Sequence, residues 1–386
     1  MIRTLLALAT GVALAIAAAG AAEAACSQPA IAAAAAKVQA ARTTLLARPI
    51  GDGMQTDVAP PARAALAAMK TSLAGLIDAY EACQGEGQDP AAIEADLARL
   101  AGAPTQDDSG RFGGSLTFHA HRWPGGLMGV VADVQIECGS DASLMLYRRE
   151  ADGWRDVLRW QATPYAKVSG GFGSFDYQVS APSPDGRWFV AAKSIMPWCS
   201  SSWSQIRYAV LRPGPSAAAP RVLLSRSDSI WWGGDDEGVL AVTPTTVDLR
   251  FHAESIDSDV HNRLWIRRFV VDGNAVRRIP PLAASPRDFA DEWIVSPWIE
   301  AAQWTSPAAR ARLAGAHERL RKIHFLTFDA VHRCGTSNRY QVRLLNAETP
   351  YVLTLAAGED LQVLDVGRRA DPACGGANLL DEMATR

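Results

Sequence analysis

The segment of the sequence best suited to chemistry is residues 231–237, where two adjacent tryptophans are followed by two glycines and three acidic residues. Neighbouring residues on a strand face opposite ways, so we expect one indole in the core and the other at the surface. An exposed indole beside carboxylates commonly holds a sugar or a cation. The alternative is that the indoles fill gaps between sheets. The predicted binding residues are Trp198, Trp203, Trp231, Trp232, Asp235 and Asp236.

No segment of the sequence matches an established catalytic motif. The nucleophile elbow, the zinc-protease helix motif, the phosphate loop and the dinucleotide fingerprint are all missing. Asp235 and Asp236 carry the carboxyl groups that glycoside hydrolysis uses, but that mechanism needs them about 5–10 Å apart across a cleft. Neighbouring side chains on a strand point apart instead. We therefore predict no catalytic residue and no cofactor.

Two short patterns have a spacing that metal sites use. His119 and His121 share one face of a predicted strand, but no third ligand lies near them in the sequence. Asp257, Asp259 and His261 alternate in the same way, but the glycine of a calcium loop is missing. We predict no metal site, and interpret the first pattern as strand surface and the second as a solvated loop.

Residues 1–24 have the three parts of a secretory signal peptide. Arg3 is followed by an uncharged apolar run over residues 4–22, and Ala22-Glu23-Ala24 is a small-x-small cleavage site. Glu23 occupies a place where lipoprotein signals carry an aliphatic residue, which favours a free, soluble N-terminus. The other alternative, a retained membrane anchor, is disfavoured because the run is rich in alanine and barely reaches spanning length. We expect no membrane span after signal removal.

Composition limits the class of partner. The net charge of −3 is near neutral, whereas nucleic-acid binders need clustered positive charge, so we predict no nucleic-acid partner. With 20% charged and 48% hydrophobic residues, the chain is an ordinary globular one with room for two or more cores. Its six cysteines include no CxxC pair, and in an exported chain they predict three disulfides.

Residues 25–104 are predicted to form an α-helical hairpin domain. This region is rich in alanine and contains no tryptophan, whereas all 12 tryptophans follow it. From Leu66 to Cys83, apolar residues recur at steps of three and four, the spacing of a helix packed on a neighbour. Two antiparallel helices bring the start of the first beside the end of the second, which predicts a Cys26–Cys83 disulfide. Closing that loop is expected to contribute about 3–5 kcal/mol.

Residues 110–374 are predicted to be an all-β domain of four units, each with four strands. Short strands and turns alternate, and the unit recurs about every 60 residues. Cys138, Cys199 and Cys334 fall six or seven residues before the third strand of three units, which supports the alignment. A helical insertion is expected near residues 306–322, and residues 375–386 form a tail. The predicted third strands are residues 144–149, 206–211, 264–269 and 340–345.

A turn and strand in the second unit, Ser183-Pro-Asp-Gly-Arg-Trp188 followed by Phe189-Val-Ala-Ala, resembles an element of repeat-type β-propellers such as the periplasmic TolB-like proteins. Pro-Asp-Gly is also simply a good tight turn between strands. Four units of four strands indicate a mainly β protein with a β-propeller-like body, and the alternative is a β-sandwich. By elimination, the two remaining disulfides are Cys138–Cys199 and Cys334–Cys374.

The sequence thus predicts an exported binding or interaction protein of the periplasm or cell exterior. Its partner is an unknown glycan, peptide or protein ligand. The alternative is an extracytoplasmic hydrolase that acts on glycan or peptide.

Overall fold

The computed structural model describes eleven segments of the chain, and all structural statements below refer to them. The chain divides into two compact units. The first comprises Met1–Asp176, Ala192–Ser201 and Arg207–Ser225, and the second comprises Tyr177–Ala191, Ser202–Ile206 and Arg226–Arg386. The described segments are residues 27–48, 59–83, 87–103, 111–136, 139–161, 174–195, 203–231, 238–257, 262–323, 326–347 and 349–380.

The first unit contains three helices, which are α1 (Gln28–Leu46), α2 (Pro60–Glu81) and α3 (Pro90–Ala101). Ser27 and Asp89 cap α1 and α3 by accepting hydrogen bonds from backbone N–H groups of the first turn. Each of the three helices has proline in its first turn, where the missing N–H costs nothing. The sequence prediction of a helical N-terminal region is confirmed.

Sixteen strands follow in four four-stranded antiparallel sheets. In every sheet the strands pair in chain order, so each sheet is a simple meander. The mainly β class with an N-terminal helical region is therefore confirmed. Sheet 1 contains β1–β4 (Leu116–Trp123, Leu127–Ile136, Gly139–Glu150, Gly153–Gln161), and sheet 2 contains β5–β8 (Ser174–Val179, Val190–Ile195, Trp203–Ser216, Ala219–Trp231). Sheet 3 contains β9–β12 (Val239–Val242, Thr246–Glu254, Asn262–Asp272, Ala275–Ile279), and sheet 4 contains β13–β16 (Thr327–Arg333, Arg339–Asn346, Thr349–Ala357, Leu361–Gly367).

The helices and sheet 1 share one hydrophobic core. Val38, Leu73 and Leu97 from the three helices belong to the same buried cluster as Val130 and Met145 from the sheet. The outer edge of β1 is covered, because the backbone N–H of Ala120 donates to a carboxylate oxygen of Glu94 on α3 at 2.7 Å. The change of composition near residue 104 therefore marks a change of secondary structure, while the core continues across it.

The predicted alignment is right for three sheets and wrong for the fourth. Residues 144–149, 206–211 and 264–269 lie in the third strands of their sheets, but residues 340–345 lie in β14, the second strand of sheet 4. The fourth strand, β16, was not predicted. Cys334 consequently lies in the β13–β14 turn, between the first and second strands of its sheet, whereas the prediction placed it between the second and third. The helical segment before β13 occupies the part of the chain in which the prediction had the first strand of the fourth unit.

That helical segment is longer than predicted and belongs to the second unit. It contains α4 (Pro286–Val295), α5 (Trp298–Ala301), a 3₁₀ turn (Ala302–Trp304) and α6 (Arg310–Arg321). Ser285 is the capping residue of its first helix, because the Ser285 hydroxyl accepts from the N–H of Asp288. Phe289 and Trp293 lie one turn apart and anchor α4 in the core shared with sheet 4. The helix predicted near residues 306–322 is therefore present as α6, and the helices before it, from Pro286 onward, were not predicted.

Two cysteine predictions touch the described residues. Cys334 is bonded to Cys374, the pair reached by elimination. Cys83 is disulfide-bonded, but Cys26, Cys138 and Cys199 lie outside the described residues, so Cys26–Cys83 and Cys138–Cys199 stay predictions. Residues just beyond Cys374 continue to pack, since the N–H of Leu379 donates to the carbonyl of Val331.

Candidate functional site

Two of the six predicted binding residues lie together in the structure. The rings of Trp203 on β7 and Trp231 on β8 meet edge to face, with centroids 4.9 Å apart and an interplanar angle of 69°. Both side chains are only half-buried. The other four predicted residues, Trp198, Trp232, Asp235 and Asp236, lie outside the described residues, so the acidic part of this site stays a prediction.

The two metal-like patterns differ from each other in the structure. His119 and His121 are exposed on β1, and the His121 ring meets Trp123 edge to face. Asp257 is buried, where the prediction had a solvated loop: it accepts from the N–H of Phe328 at 3.2 Å and pairs with Arg287. Asp259 and His261 lie outside the described residues. Within the described segments, no three acidic, histidine or cysteine side chains are grouped to hold a metal ion.

A groove of about 450 Å³ lies in the first unit between α2, β4 and the β7–β8 hairpin, and we call it the Trp160 groove. Seven of its eleven lining residues are apolar, including Ala74, Leu211 and Pro220 beside the indole of Trp160. Val222 lies in it with 57% of its surface exposed. An exposed aliphatic side chain in a concave surface that combines apolar and polar groups is typical of a binding site.

Rigid neighbours hold the walls of the Trp160 groove. The Trp160 ring stacks on Phe175, with centroids 4.5 Å apart and an interplanar angle of 19°. The N–H of Arg159 on β4 donates to the carbonyl of Ala217 in the turn of the β7–β8 hairpin at 2.8 Å. Within that hairpin only glycine fits at Gly214, because a Cβ there would lie 1.8 Å from the carbonyl oxygen of Ala219.

The charged groups at the rim of the groove contact one another. The Arg159 guanidinium donates to Asp78 at 2.6 Å and also to Asp156. Burial raises the pKa of Asp156 despite this contact. Asp78 also accepts from the hydroxyl of Tyr147 at 2.7 Å, so α2 and β4 are joined through one polar network. The remaining polar lining residues are Thr71, Gln161 and Ser225.

A second polar cluster lies at the end of α2, and its carboxyl group has no hydrogen-bond partner. Glu81 is fully buried, and neither of its carboxyl oxygens has a hydrogen-bond partner. Burial raises its pKa to about 8, against the attraction of the Arg122 guanidinium. Arg122, the last residue but one of β1, lies 5.2 Å from the centre of the Trp154 ring. The carboxyl group of Glu81 is therefore influenced by the charge of Arg122 without a hydrogen bond to it.

The second unit contains a dense buried ion-pair cluster where α4 packs on sheet 3. Glu292 accepts from Arg263, Arg267 and Arg278 at 2.8–2.9 Å. Burial disfavours its charge, but the three arginines outweigh burial and hold the pKa of Glu292 well below its usual range. Its neighbour Asp291 contacts only Arg263 among them, and burial raises its pKa.

Sequence reasoning missed the Trp160 groove and both buried clusters. Alternation of Arg263, Trp265 and Arg267 on β11 was one available signal, since it places two cations on one strand face. Within the described segments, no helix is long and apolar enough to span a membrane. Comparison of the chain with protein-family models, with curated proteins and with solved structures found no match.

Proposed function

We propose that this chain is an exported binding protein that takes an apolar segment of a peptide in the Trp160 groove. The observation that carries the proposal is the concave lining, in which seven of eleven residues are apolar and Val222 is exposed. A ligand that covers such a surface removes apolar area from water, and this stabilises the complex by about 25 cal/mol for each Å² buried. Trp160 supplies a large, rigid contact, because Phe175 already holds its ring.

The polar groups of the groove favour a peptide over a sugar. A sugar needs a partner for each hydroxyl that it buries, since an unsatisfied one costs roughly 1–3 kcal/mol. Arg159 is committed to Asp78 and Asp156, which leaves few side chains for that task. A peptide places an aliphatic or aromatic side chain on the apolar lining instead. The described lining also includes neither a carboxylate nor an imidazole, which supports binding over hydrolysis.

The four sheets support a finer architectural proposal, that they are blades of a propeller-like body. Each sheet is a four-stranded meander in chain order, and this is how one propeller blade is built. On this proposal the Trp203–Trp231 pair is a second aromatic contact surface, on sheet 2.

Export and an extracytoplasmic location are part of the proposal, and the Cys334–Cys374 bond supports them because disulfides persist in oxidising compartments. We expect the chain produced in a Gram-negative host to be recovered from the periplasm with Ala25 as its first residue, by intact-mass measurement. An Ala24→Lys variant should keep its first 24 residues, because lysine blocks the small-residue site. Periplasmic wild-type protein that retains residues 1–24 would contradict the proposal.

The groove is tested with Trp160→Ala, which we expect to weaken peptide binding by at least about tenfold, since truncated aromatic anchors commonly cost more than 1 kcal/mol. The probes are fluorescent dodecapeptides rich in leucine and phenylalanine, charged dodecapeptides, and neutral hexasaccharides, each titrated by anisotropy. Trp123→Ala is the matched control, because Trp123 is a half-buried indole on another strand of sheet 1.

Equal affinities of the wild type and Trp160→Ala for every probe would refute the groove as a binding site. A loss confined to the hexasaccharides would keep the site but replace peptide with glycan as its ligand.

A further inference from the structure

The helix α6 is held on the second unit by a narrow buried stripe with an imidazole at its centre. Three of its twelve residues are buried, namely Leu313, His317 and Leu320, at steps of four and three along the helix. The two leucines belong to the core that the helical segment shares with sheet 4. His317 therefore supplies the central contact of α6, and imidazole is the side chain that ordinarily gains its charge near neutral pH.

The imidazole of His317 also caps the end of α4. A further helical turn would pair the carbonyl of Trp293 with the N–H of residue 297, but residue 297 is proline and has none. The Nε2 atom of His317 lies 2.9 Å from that carbonyl oxygen instead. Because a carbonyl oxygen only accepts, Nε2 carries the hydrogen, and the Nδ1 atom of the neutral ring carries none. The hydrogen bond thus joins α6 to α4 through the neutral imidazole.

Two indoles pack against the imidazole. The ring centroids of Trp293 and Trp298 lie 4.7 and 5.2 Å from that of His317. His317 is fully buried, and its Nδ1 atom has no hydrogen-bond partner. A proton on Nδ1 therefore places a positive charge and an unsatisfied N–H inside the contact between α6 and α4, and both destabilise the docked helix.

The charges around His317 do not compensate for this proton. Burial lowers the pKa of His317, and Arg321 on the next turn of α6 lowers it further. The carbonyls of Trp293 and Ser296 and the carboxylate of Glu318 favour the charged ring, but burial and Arg321 outweigh them. The other carboxylates on the elements packed against α6 are committed to arginines, which are Arg287 for Asp288, Arg263 for Asp291, Arg263, Arg267 and Arg278 for Glu292, Arg226 for Glu300, and Arg312 for Asp365.

We propose that His317 is an acid-sensitive latch, which holds α6 on α4 while its ring is neutral and releases α6 when its ring is protonated. In the undocked helix the imidazole is hydrated and has its ordinary pKa of 6.5, whereas docking lowers that pKa. The undocked state binds more protons between these two values, so the docked state loses stability as the pH falls through this window. Glu292 keeps its charge there, because its pKa is lowered from 4.5. The device lies in the second unit and does not involve the Trp160 groove.

The test is amide hydrogen exchange of the purified chain, followed by mass spectrometry near pH 7.5 and near pH 5.5 and corrected for the pH dependence of the chemical step. We expect the amides of α6 to exchange up to about tenfold faster near pH 5.5, because protonated imidazole then exceeds neutral imidazole by about tenfold in the undocked helix. Amides of β14 and β15, the two central strands of sheet 4, should keep their corrected rates within about twofold, since the sheet stays folded.

His317→Gln keeps an N–H donor for the carbonyl of Trp293 but cannot ionise, so its α6 amides should exchange at corrected rates within about twofold at the two pH values. His332→Gln is the matched control, because His332 on β13 also contacts a backbone carbonyl, that of Ala377 at 3.3 Å, and this variant should keep the wild-type response. If His317→Gln does not fold by circular dichroism, His317→Phe takes its place with the same expected result, since it keeps a ring against Trp293 and Trp298.

Two outcomes would overturn the latch. One is wild-type exchange of α6 that does not change between the two pH values, which needs no variant to be observed. The other is a pH response that persists in the His317 variant, since it would assign the response to another group such as Asp291, whose pKa is raised by burial on α4.

Discussion

A Glu81→Gln variant is expected to match the wild type in stability near pH 4 and to exceed it by roughly 4–5 kcal/mol near pH 9. The reason is the position of the carboxyl, which is fully buried and lacks any hydrogen-bond partner. Burial raises its pKa from 4.5 to about 8 in the folded chain. Each pKa unit between the folded and unfolded states corresponds to about 1.4 kcal/mol.

The sign of this effect is set by which state holds the proton. Between pH 4.5 and about 8, folded Glu81 is protonated while the unfolded chain has released its proton. The folded state therefore binds more protons, and its stability falls as the pH rises through this window. Arg122 on β1 is the cation that opposes the shift, while the neighbouring Asp78 and Asp156 are acidic and add no favourable charge. Glutamine removes the ionisation and with it the loss.

The measurement is urea denaturation of wild type and variant at several pH values, with unfolding monitored by tryptophan fluorescence. Glu150→Gln is the control, since it removes a carboxyl of the same sheet that is 37% exposed, and it should retain the wild-type pH dependence. A Glu81→Gln variant whose stability falls with pH as steeply as that of the wild type would show that Glu81 is not the responsible group.

Local patterns in the sequence predicted most of the secondary structure. The steps of three and four from Leu66 to Tyr80 correspond to the buried side of α2, and the continuous apolar runs in β2 and β3 correspond to buried strands. The turn at Asp185 was also predictable, because its side chain accepts from the N–H of Arg187 and from the Ser183 hydroxyl. These features depend on neighbours within a few residues.

The functional features depend on residues far apart in the chain. Thr71, Trp160, Leu211 and Val222 meet in the Trp160 groove from three separate regions, and no local pattern relates them. Glu81 has the sequence appearance of a solvated residue at a helix end, and only packing against sheet 1 buries it. The α4 helix was missed because its buried side carries Asp291 and Glu292, where the usual pattern has apolar residues.

Glu292→Gln is expected to destabilise the second unit by about 3–5 kcal/mol at pH 7, because it removes the one carboxylate that Arg263, Arg267 and Arg278 share. Glutamine has nearly the same shape, so the loss of stability reports the missing charge. The three buried guanidiniums then share one negative charge fewer.

Asp291→Asn is the matched control on the same helix, since burial already raises the pKa of Asp291 and its ionised form contributes less. Urea denaturation of the two variants should therefore show a much smaller loss for Asp291→Asn, and equal losses would contradict the assignment. The pKa of Glu292 is lowered in the folded state, so its stabilisation is complete above about pH 4.5 and is lost as the pH falls further. Glu81 acts in the opposite direction, which makes acid the condition that weakens the second unit and alkali the condition that weakens the first.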